Sequence, residues 1–391
     1  MLIPMVNLKV QYETIKDQID RAIKEVLEDG NFILGPSVKK IEEEIASYLG
    51  AKYAVGLASG TDALHMALLA CGVKRGQNVI TTPFTFVSTV ETIISTGATP
   101  LFVDIDPKTY NIASEKIEEF VETKAYFNEK EGVLINKENG NQIRAVLPVH
   151  LYGQSANMEH IVSICNKYNL VLIEDCAQAF GAEYKGRKVG TFGNVGCLSF
   201  FPSKNLGCYG DGGMIITNSE DLADKIRILR NHGSNEKYYY IDIGFNSRLD
   251  EIQSAILRVK LRKINKYNEL RRKNACLYND YLKDLDLVTP CEDKDVKHVY
   301  HQYTIRTVHR DRIAKYLKDE GIASAIYYPL SLHQQPVFED LAFKAGNLKN
   351  SESASLEVLS LPMYPELTEK EIHTVCEAIK KAIYLAKCEK S

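Results

Sequence analysis

The sequence predicts an α/β fold, with a large domain on a mostly parallel central sheet and a smaller C-terminal α+β domain. Three observations predict it. Strand-length apolar segments alternate with helix-length segments from about residue 50 onward. Those strand segments are apolar almost throughout, as strands covered on both faces are. From about residue 256 the rhythm gives way to a long amphipathic helical run rich in Lys and Arg. A chain of 391 residues exceeds one small core, and the change of pattern sets the expected domains at 1–255 and 256–391.

Taken in order, YETIKDQIDRAIKEVLEDG from Tyr12 has apolar residues at helical spacing, and Gly30 stops it. A second helix is expected from Ser37 to Leu49, closed by Gly50. AKYAVGLASG is a strand entering a small-residue turn, and TDALHMALLACG is a helix closed by Gly72. NVITTPFTF, TPLFVDID, AVLPVHLYG, LVLIEDCAQ and GCLSFFP read as buried strands, with VSTVETIISTGA a helix between the first two. The polar stretch 124–143 carries Asn139-Gly140 between VLIN and QIRA, a hairpin signal. It is expected to be a surface insertion outside the chemistry. In the smaller domain HVYHQYTIRTV reads as a strand, RDRIAKYLKDEG as a helix and IASAIYYPL as another strand.

The formal charge of −3, with no long run of one sign, gives no reason to expect a nucleic-acid or membrane partner. No stretch is apolar for long enough to span a bilayer. MLIPMVNLKVQYETIKDQ lacks the basic-then-apolar order of a signal peptide, so a cytoplasmic address is expected. Nine cysteines with no CxxC pair and no Cys/His cluster at zinc spacing read as free thiols, and no metal site is expected. Cys208 reads as a small packed residue.

Three places carry chemistry. In Ser59-Gly60-Thr61-Asp62 a strand runs into small residues and a helix opens. The free N–H groups and dipole of a helix start favour a phosphate, and glycine allows close approach; a plain capped helix start fits as well. In Ile173-Glu174-Asp175-Cys176-Ala177-Gln178 an apolar strand ends in an acidic pair. Carboxyl ends of parallel strands are where α/β proteins bind ligands, so Asp175 is either a ligand partner or a helix cap, and Glu174 should point the other way. In CLSFFPSKNLGCYGDGGM one lysine, Lys204, stands between an aromatic-rich strand and a glycine-rich turn. Desolvation there would depress its pKa, as a Schiff-base amine requires. An anion hole, a carboxylate and an amine together are the parts a pyridoxal phosphate site needs.

The chain resembles the DegT/DnrJ/StrS family of sugar aminotransferases, within the fold-type I pyridoxal phosphate enzymes. The resemblance runs from about Val6 to Ile379. It rests on SGTDAL, TPFTFVST, VDIDP, PVHLYGQ, IEDCAQAFGAEYKGRKVGTFG, SFFPSKNLGCYGDGGM, GFNSRLDEIQSAIL and YYPLSLHQQP, in the family's order. It implies pyridoxal 5'-phosphate as cofactor, Lys204 as the Schiff-base lysine and Asp175 as partner of the pyridinium nitrogen. By the same likeness Gln178 bonds the phenolic oxygen, Phe86 stacks on the ring, and Gly60, Thr61 and Ser199 hold the phosphate. Asn246 reaches the phosphate from the second subunit of a homodimer with shared sites. Arg248 meets the donor carboxylate or the sugar, and His333 is a candidate for the sugar-nucleotide. Members with histidine at the lysine position dehydrate their substrates; Lys204 sets this chain apart from them. The hairpin insertion departs from shorter members.

The resemblance implies transamination of a nucleotide-linked keto-sugar with L-glutamate as donor, in amino-sugar biosynthesis for a surface polysaccharide or glycan. The GDGG version of the lysine loop looks closest to enzymes aminating C3, on UDP-2-acetamido-3-keto-glucuronate or a dTDP-3-keto-6-deoxyhexose. A C4 aminotransferase on a 4-keto-6-deoxy sugar is the alternative within the enzyme class. A non-catalytic pyridoxal-phosphate-binding regulator and a plain structural protein are the alternatives outside it. The first finds no DNA-binding helix pair in the sequence, and the second leaves the lysine, aspartate and phosphate turn unexplained.

Overall fold

A computed structural model describes residues 2–338 and 348–388. Its main sheet has nine strands: β1 Tyr53–Leu57, β2 Asn78–Thr81, β3 Thr99–Phe102, β4 Ala125–Asn128, β5 Val133–Asn136, β6 Gln142–Val146, β7 Val171–Asp175, β8 Val195–Ser199 and β9 Gly213–Thr217. The main path is β1-β9-β8-β7-β6-β2-β3. Strands β8, β7, β6, β2 and β3 are parallel. Strand β9 runs antiparallel between β8 and β1, with Met214 opposite both Leu198 and Gly56. The sheet is therefore parallel in the centre and mixed at one side. GMIIT, which forms β9, is absent from the strands expected above because it directly follows the glycine-rich loop.

Helices α1 Leu8–Asp29, α2 Pro36–Leu49, α3 Gly60–Ala70, α4 Ser88–Ser95, α5 Ser114–Lys124, α6 Met158–Lys167 and α7 Glu220–Arg230 belong to this part of the chain. Side chains of a strand alternate between faces, and the core follows that alternation. Ile173, Val195, Cys197 and Ile215 pack with α3 and α7 on one face. Leu198, Met214 and Ile216 pack with Ile41, Ile45 and Leu49 of α2 on the other. Farther along that second face, Ile80, Val146 and Leu172 meet Ile117 of α5 and Ile161 of α6.

The insertion differs from the expected appendage. β5 pairs with the start of β6 across the Asn139-Gly140 turn, Leu134 opposite Ile143, and β4 pairs with β5. Leu134 and Ala125 are buried, so the hairpin extends the main sheet through one of its central strands. The Lys/Arg-rich run is two helices, α8 Glu251–Leu261 and α9 Ile264–Leu282. Position 255/256 falls inside α8, which packs on α1 and α2. Strands β10 Tyr303–Arg306 and β11 Val358–Leu361 pair antiparallel. They share a core with α9, α10 Arg310–Asp319 and α12 Glu369–Cys388; α11 Lys349–Glu357 precedes β11. Ile3, at the other end of the chain, is buried in that core as well. IASAIYYPL is not a strand: Ile322 and Ala325 form only isolated bridges, to Ile3 and Ser360.

Candidate active site

Asp175 is the last residue of β7, and its backbone is fixed from both sides. Its N–H donates to Pro148 (2.9 Å), and its carbonyl accepts from the His150 N–H (3.0 Å). The buried carboxylate accepts from the Thr89 hydroxyl at 3.0 Å and the Ala177 N–H at 3.1 Å. Burial pushes its pKa up, against the lowering effect of those two donors and of Lys204.

Lys204 follows β8 in a loop closed by backbone bonds, Lys204 N–H to Phe201 (2.8 Å) and Cys208 N–H to Phe200 (2.8 Å). The lysine is half-buried. Burial pushes the amine down to about 8, opposed by the Asp175 carboxylate. That is the direction a nucleophilic amine needs. Within the same loop Cys208 is fully buried, and burial raises its thiol pKa, in keeping with a packed residue.

The turn between β1 and α3 is narrow. A Cβ on Gly60 would stand 2.6 Å from the Ser199 Cβ, and one on Gly213 would stand 2.1 Å from the Ser59 carbonyl oxygen. Only glycine fits at either place. Ser59 caps α3 by accepting from the Asp62 N–H at 3.0 Å. The first-turn N–H groups of α3 thus lie beside Ser199, at the positive end of the helix dipole. Thr61 and Ser88 share a hydrogen bond of 2.7 Å between their hydroxyls. One donates and the other keeps a proton for a further acceptor.

Gln178 is held by both ends. Its carbonyl oxygen accepts from the Tyr152 N–H at 2.8 Å, and its amide donates to the Tyr328 hydroxyl at 3.0 Å. This bonding presents its NH2 group, a donor, to the site, as a phenolate oxygen requires. Phe86 precedes α4 and is 56 % exposed, a large aromatic surface 6.4 Å centroid to centroid from Tyr328.

These features fit pyridoxal phosphate. Amine, carboxylate, amide donor, exposed ring and tight helix start bring together Lys204, Asp175, Gln178, Phe86, Gly60, Thr61 and Ser199. The other three candidates make different contacts. Asn246 is exposed, on an extended segment bridged to Asn231. Arg248 donates to the Asn231 side-chain oxygen at 3.2 Å. His333 contacts Glu352 at 3.0 Å and packs 6.3 Å from the Phe102 ring, in the apolar cluster that joins Val90 to Leu348.

Sequence reasoning passed over several residues here. Thr89, Ser88, Tyr152 and Tyr328 sit within quoted motifs, but only the fold shows what they bond. His301 lay in a segment read only as strand; burial, then the charges of Lys204 and Arg271, push its imidazole well below its usual range. Glu174 points away from Asp175, as expected. It accepts from the N–H groups of Gly190, Phe192 and Gly193, each at 2.7 Å. His150 accepts the Ala156 N–H on Nδ1, which places its proton on Nε2, 3.1 Å from Glu174. Glu174, His150 and Cys176 offer ligand atoms within 4.8 Å of one another. The bonds of Glu174 make that group a brace for the turn after β7.

The DegT/DnrJ/EryC1/StrS aminotransferase family matches residues 13–380. A "Pleiotropic regulatory protein" of Geobacillus stearothermophilus is 49 % identical, over 97 % of this chain and 98 % of that protein. A UDP-N-acetyl-3-dehydro-alpha-D-glucosamine 3-aminotransferase of Acidithiobacillus ferrooxidans is 42 % identical, over 98 % of each chain. A UDP-2-acetamido-2-deoxy-3-oxo-D-glucuronate aminotransferase of Pseudomonas aeruginosa is 41 % identical, over 97 % of this chain and 99 % of that one. Among solved structures, S. venezuelae DesV in complex with a ketimine intermediate superposes with a TM-score of 0.90 at 35 % identity, covering 97 % of this chain and 98 % of that one. Among the described residues no helix is long and apolar enough to cross a membrane. The chain belongs to the DegT/DnrJ/EryC1/StrS aminotransferase family and is a pyridoxal-phosphate-dependent sugar aminotransferase.

Proposed function

We propose that the protein transfers an amino group from L-glutamate to C3 of a UDP- or dTDP-linked 3-keto sugar, in the cytoplasm, on the way to an amino sugar of a surface glycan. One observation carries the reading: Lys204 and Asp175 interact within one centre, with the amine pushed down to about 8. The names of the relatives at 42 % and 41 % identity, both UDP-sugar aminotransferases for a 3-keto position, support C3 over C4.

Bound pyridoxal phosphate supplies an electron sink and a carrier for the amino group. Asp175 holds a proton on the pyridine nitrogen, and the Thr89 and Ala177 bonds keep its carboxylate aimed. Gln178 donates to the phenolic oxygen. Gly60, Thr61 and Ser199 hold the phosphate, and Phe86 covers the ring and limits access of water. Lys204, in its neutral form, would take the proton from Cα of glutamate and later deliver one to C3 of the sugar. Asn246 and Arg248 serve the partner's site in a homodimer. The Glu352 contact and the packing on Phe102 support an anchoring role for His333, beside its candidacy for the sugar-nucleotide.

The test is a panel of 3-keto and 4-keto nucleotide sugars incubated with the cofactor-loaded protein and L-glutamate, with NMR of the products. Nitrogen at C3 is expected. Activity on 4-keto-6-deoxy sugars alone would move the assignment to C4. Absence of any 2-oxoglutarate release would favour a cofactor-binding regulator, the reading that the name of the G. stearothermophilus relative suggests.

The shared site has its own test. Mixed and exchanged, Lys204→Ala and Arg248→Ala chains should regain about a quarter of wild-type activity, because about half the dimers are mixed and each holds one intact site. Proven exchange without recovery would place Arg248 in the same chain's site as Lys204.

A further inference from the structure

The segment from Phe245 to Asp250 runs extended past the end of α7. Phe245 N–H donates to Leu229 (2.7 Å), Ser247 N–H to Arg230 (3.0 Å), and Asn231 bridges Asn246. Its side chains alternate as those of a strand do. Ser247 and Leu249 are buried, Asn246 and Asp250 are exposed, and Arg248 is intermediate. The inward face is fastened to α3. The Ser247 hydroxyl donates to the Asp62 carboxylate at 2.7 Å and accepts from the Ala58 N–H at 3.1 Å. The Phe245 ring lies 5.2 Å from the His65 ring, also on α3. Ser247 is 2 % exposed, so this hydroxyl is committed to these bonds.

We propose that Ser247 is a positioning residue acting in trans: its bond to Asp62 sets the placement of Asn246 and Arg248 in the partner's active site. The inference rests on the reading that these two residues cross a dimer interface. They flank Ser247 on the opposite face of one extended segment, so a change in the depth at which Ser247 sits moves both together. The same chain's phosphate cradle has fasteners of its own, the Ser59 cap and the Thr61–Ser88 pair, so it should feel the loss of Ser247 much less.

Mixed dimers with one live site test this. One chain carries Lys204→Ala and the other Arg248→Ala. The live site then takes Lys204 from the second chain and Asn246 and Arg248 from the first. In the isolated mixed dimer only that site attaches cofactor covalently, so an absorption titration with pyridoxal phosphate reads it alone. Ser247→Ala is placed on either chain in turn. On the Lys204→Ala chain it should weaken cofactor binding and raise the sugar-nucleotide KM about tenfold each, the worth of a hydrogen bond to a charged group. On the Arg248→Ala chain both changes should be several-fold smaller, since that cradle loses the bond from the Ala58 N–H but keeps the Ser59 cap and the Thr61–Ser88 pair. Asp62→Asn, which retains an acceptor for Ser247, should give a smaller change in the same trans direction.

Equal effects from the two placements, a larger effect in cis, or no effect would overturn the proposal. If the mixed dimer without Ser247→Ala is inactive despite proven exchange, the shared-site reading itself has failed and the proposal falls with it. Melting temperatures of both arms separate misfolding from misplacement: a folded dimer with the trans loss supports the proposal, and a loss confined to the unfolding temperature counts against it.

Discussion

Glu174 and Asp175 are consecutive residues of β7, both buried, and they face opposite sides of the sheet. Glu174 accepts three backbone N–H groups and faces the Nε2 proton of His150. Its hydrogen-bonding capacity is filled by the fold. Asp175 accepts one backbone N–H and one hydroxyl and shares its surroundings with the Lys204 amine. It has capacity left for a ligand. Two carboxylates with the same burial and the same strand thus have different employment, and the inventory of their donors tells them apart. Burial alone does not mark a functional acid; unfilled bonding beside a depressed amine does.

The largest effect should come from the partner of Asp175. Lys204→Ala should abolish turnover while the melting temperature stays near wild type, because the loop is closed by backbone bonds that do not involve the side chain. Borohydride reduction of the wild-type holoenzyme should label the peptide containing Lys204, and labelling of another lysine would remove it from the centre.

The two acids should then separate cleanly. Asp175→Asn should cut the rate roughly a hundredfold or more, because the ring nitrogen loses its ionic partner. Cofactor affinity should fall by less than about tenfold, or ~1.4 kcal/mol. Glu174→Ala should do the reverse. It strands three backbone N–H groups and an imidazole N–H in the core, at ~1–3 kcal/mol each. A loss of ~3 kcal/mol or more lowers the melting temperature by roughly 10 °C in a domain of this size. If Glu174→Ala kept its stability and lost its rate, the contrast would be mistaken.

The sequence exposed the functional side of this comparison better than the supporting side. Lys204, Asp175 and Gly60 were legible because each sits where a strand ends, and such ends have recognisable residue types. Glu174 was legible only in direction, since the turn it braces lies 16 to 19 residues later and nothing local announces it. Asp104 of VDIDP is similar. Its carboxylate accepts from Asn350 and Ser351 at 2.9 Å, capping α11 from nearly 250 residues away. Tyr152 and Tyr328 owe their places to Gln178, which no periodicity reveals. The insertion was legible as a hairpin but not as part of the sheet, because its buried apolar residues, Ala125, Leu134 and Ile143, are too few and too scattered to make a pattern. It belongs with Glu174 on the supporting side. Asn136 donates to Asn78 at 3.3 Å in the buried edge of that extension. Asn136→Ala should therefore lower stability by ~1–2 kcal/mol and leave kcat/KM within about twofold, read by denaturant unfolding and steady-state rates.

The finest contrast between the two acids is in the pH dependence of Lys204. Its amine is held near 8 by burial, with the Asp175 carboxylate opposing that shift. Only the neutral amine attacks, so its fraction falls about tenfold for each pH unit below the pKa. Covalent capture of added cofactor by the apoenzyme should rise with pH and level off near 8. A lysine at its ordinary 10.5 would go on gaining beyond pH 10. Replacing Asp175 by Asn removes the charge that holds the amine up, so the levelling point should move to lower pH. Replacing Glu174 by Gln keeps its size on the far side of the sheet and should leave the point where it was. Stopped-flow absorbance across pH 6 to 10, at roughly half-unit steps, resolves a shift of the size one nearby charge makes. A shift with Glu174→Gln and none with Asp175→Asn would mean that the wrong acid has been assigned to the amine.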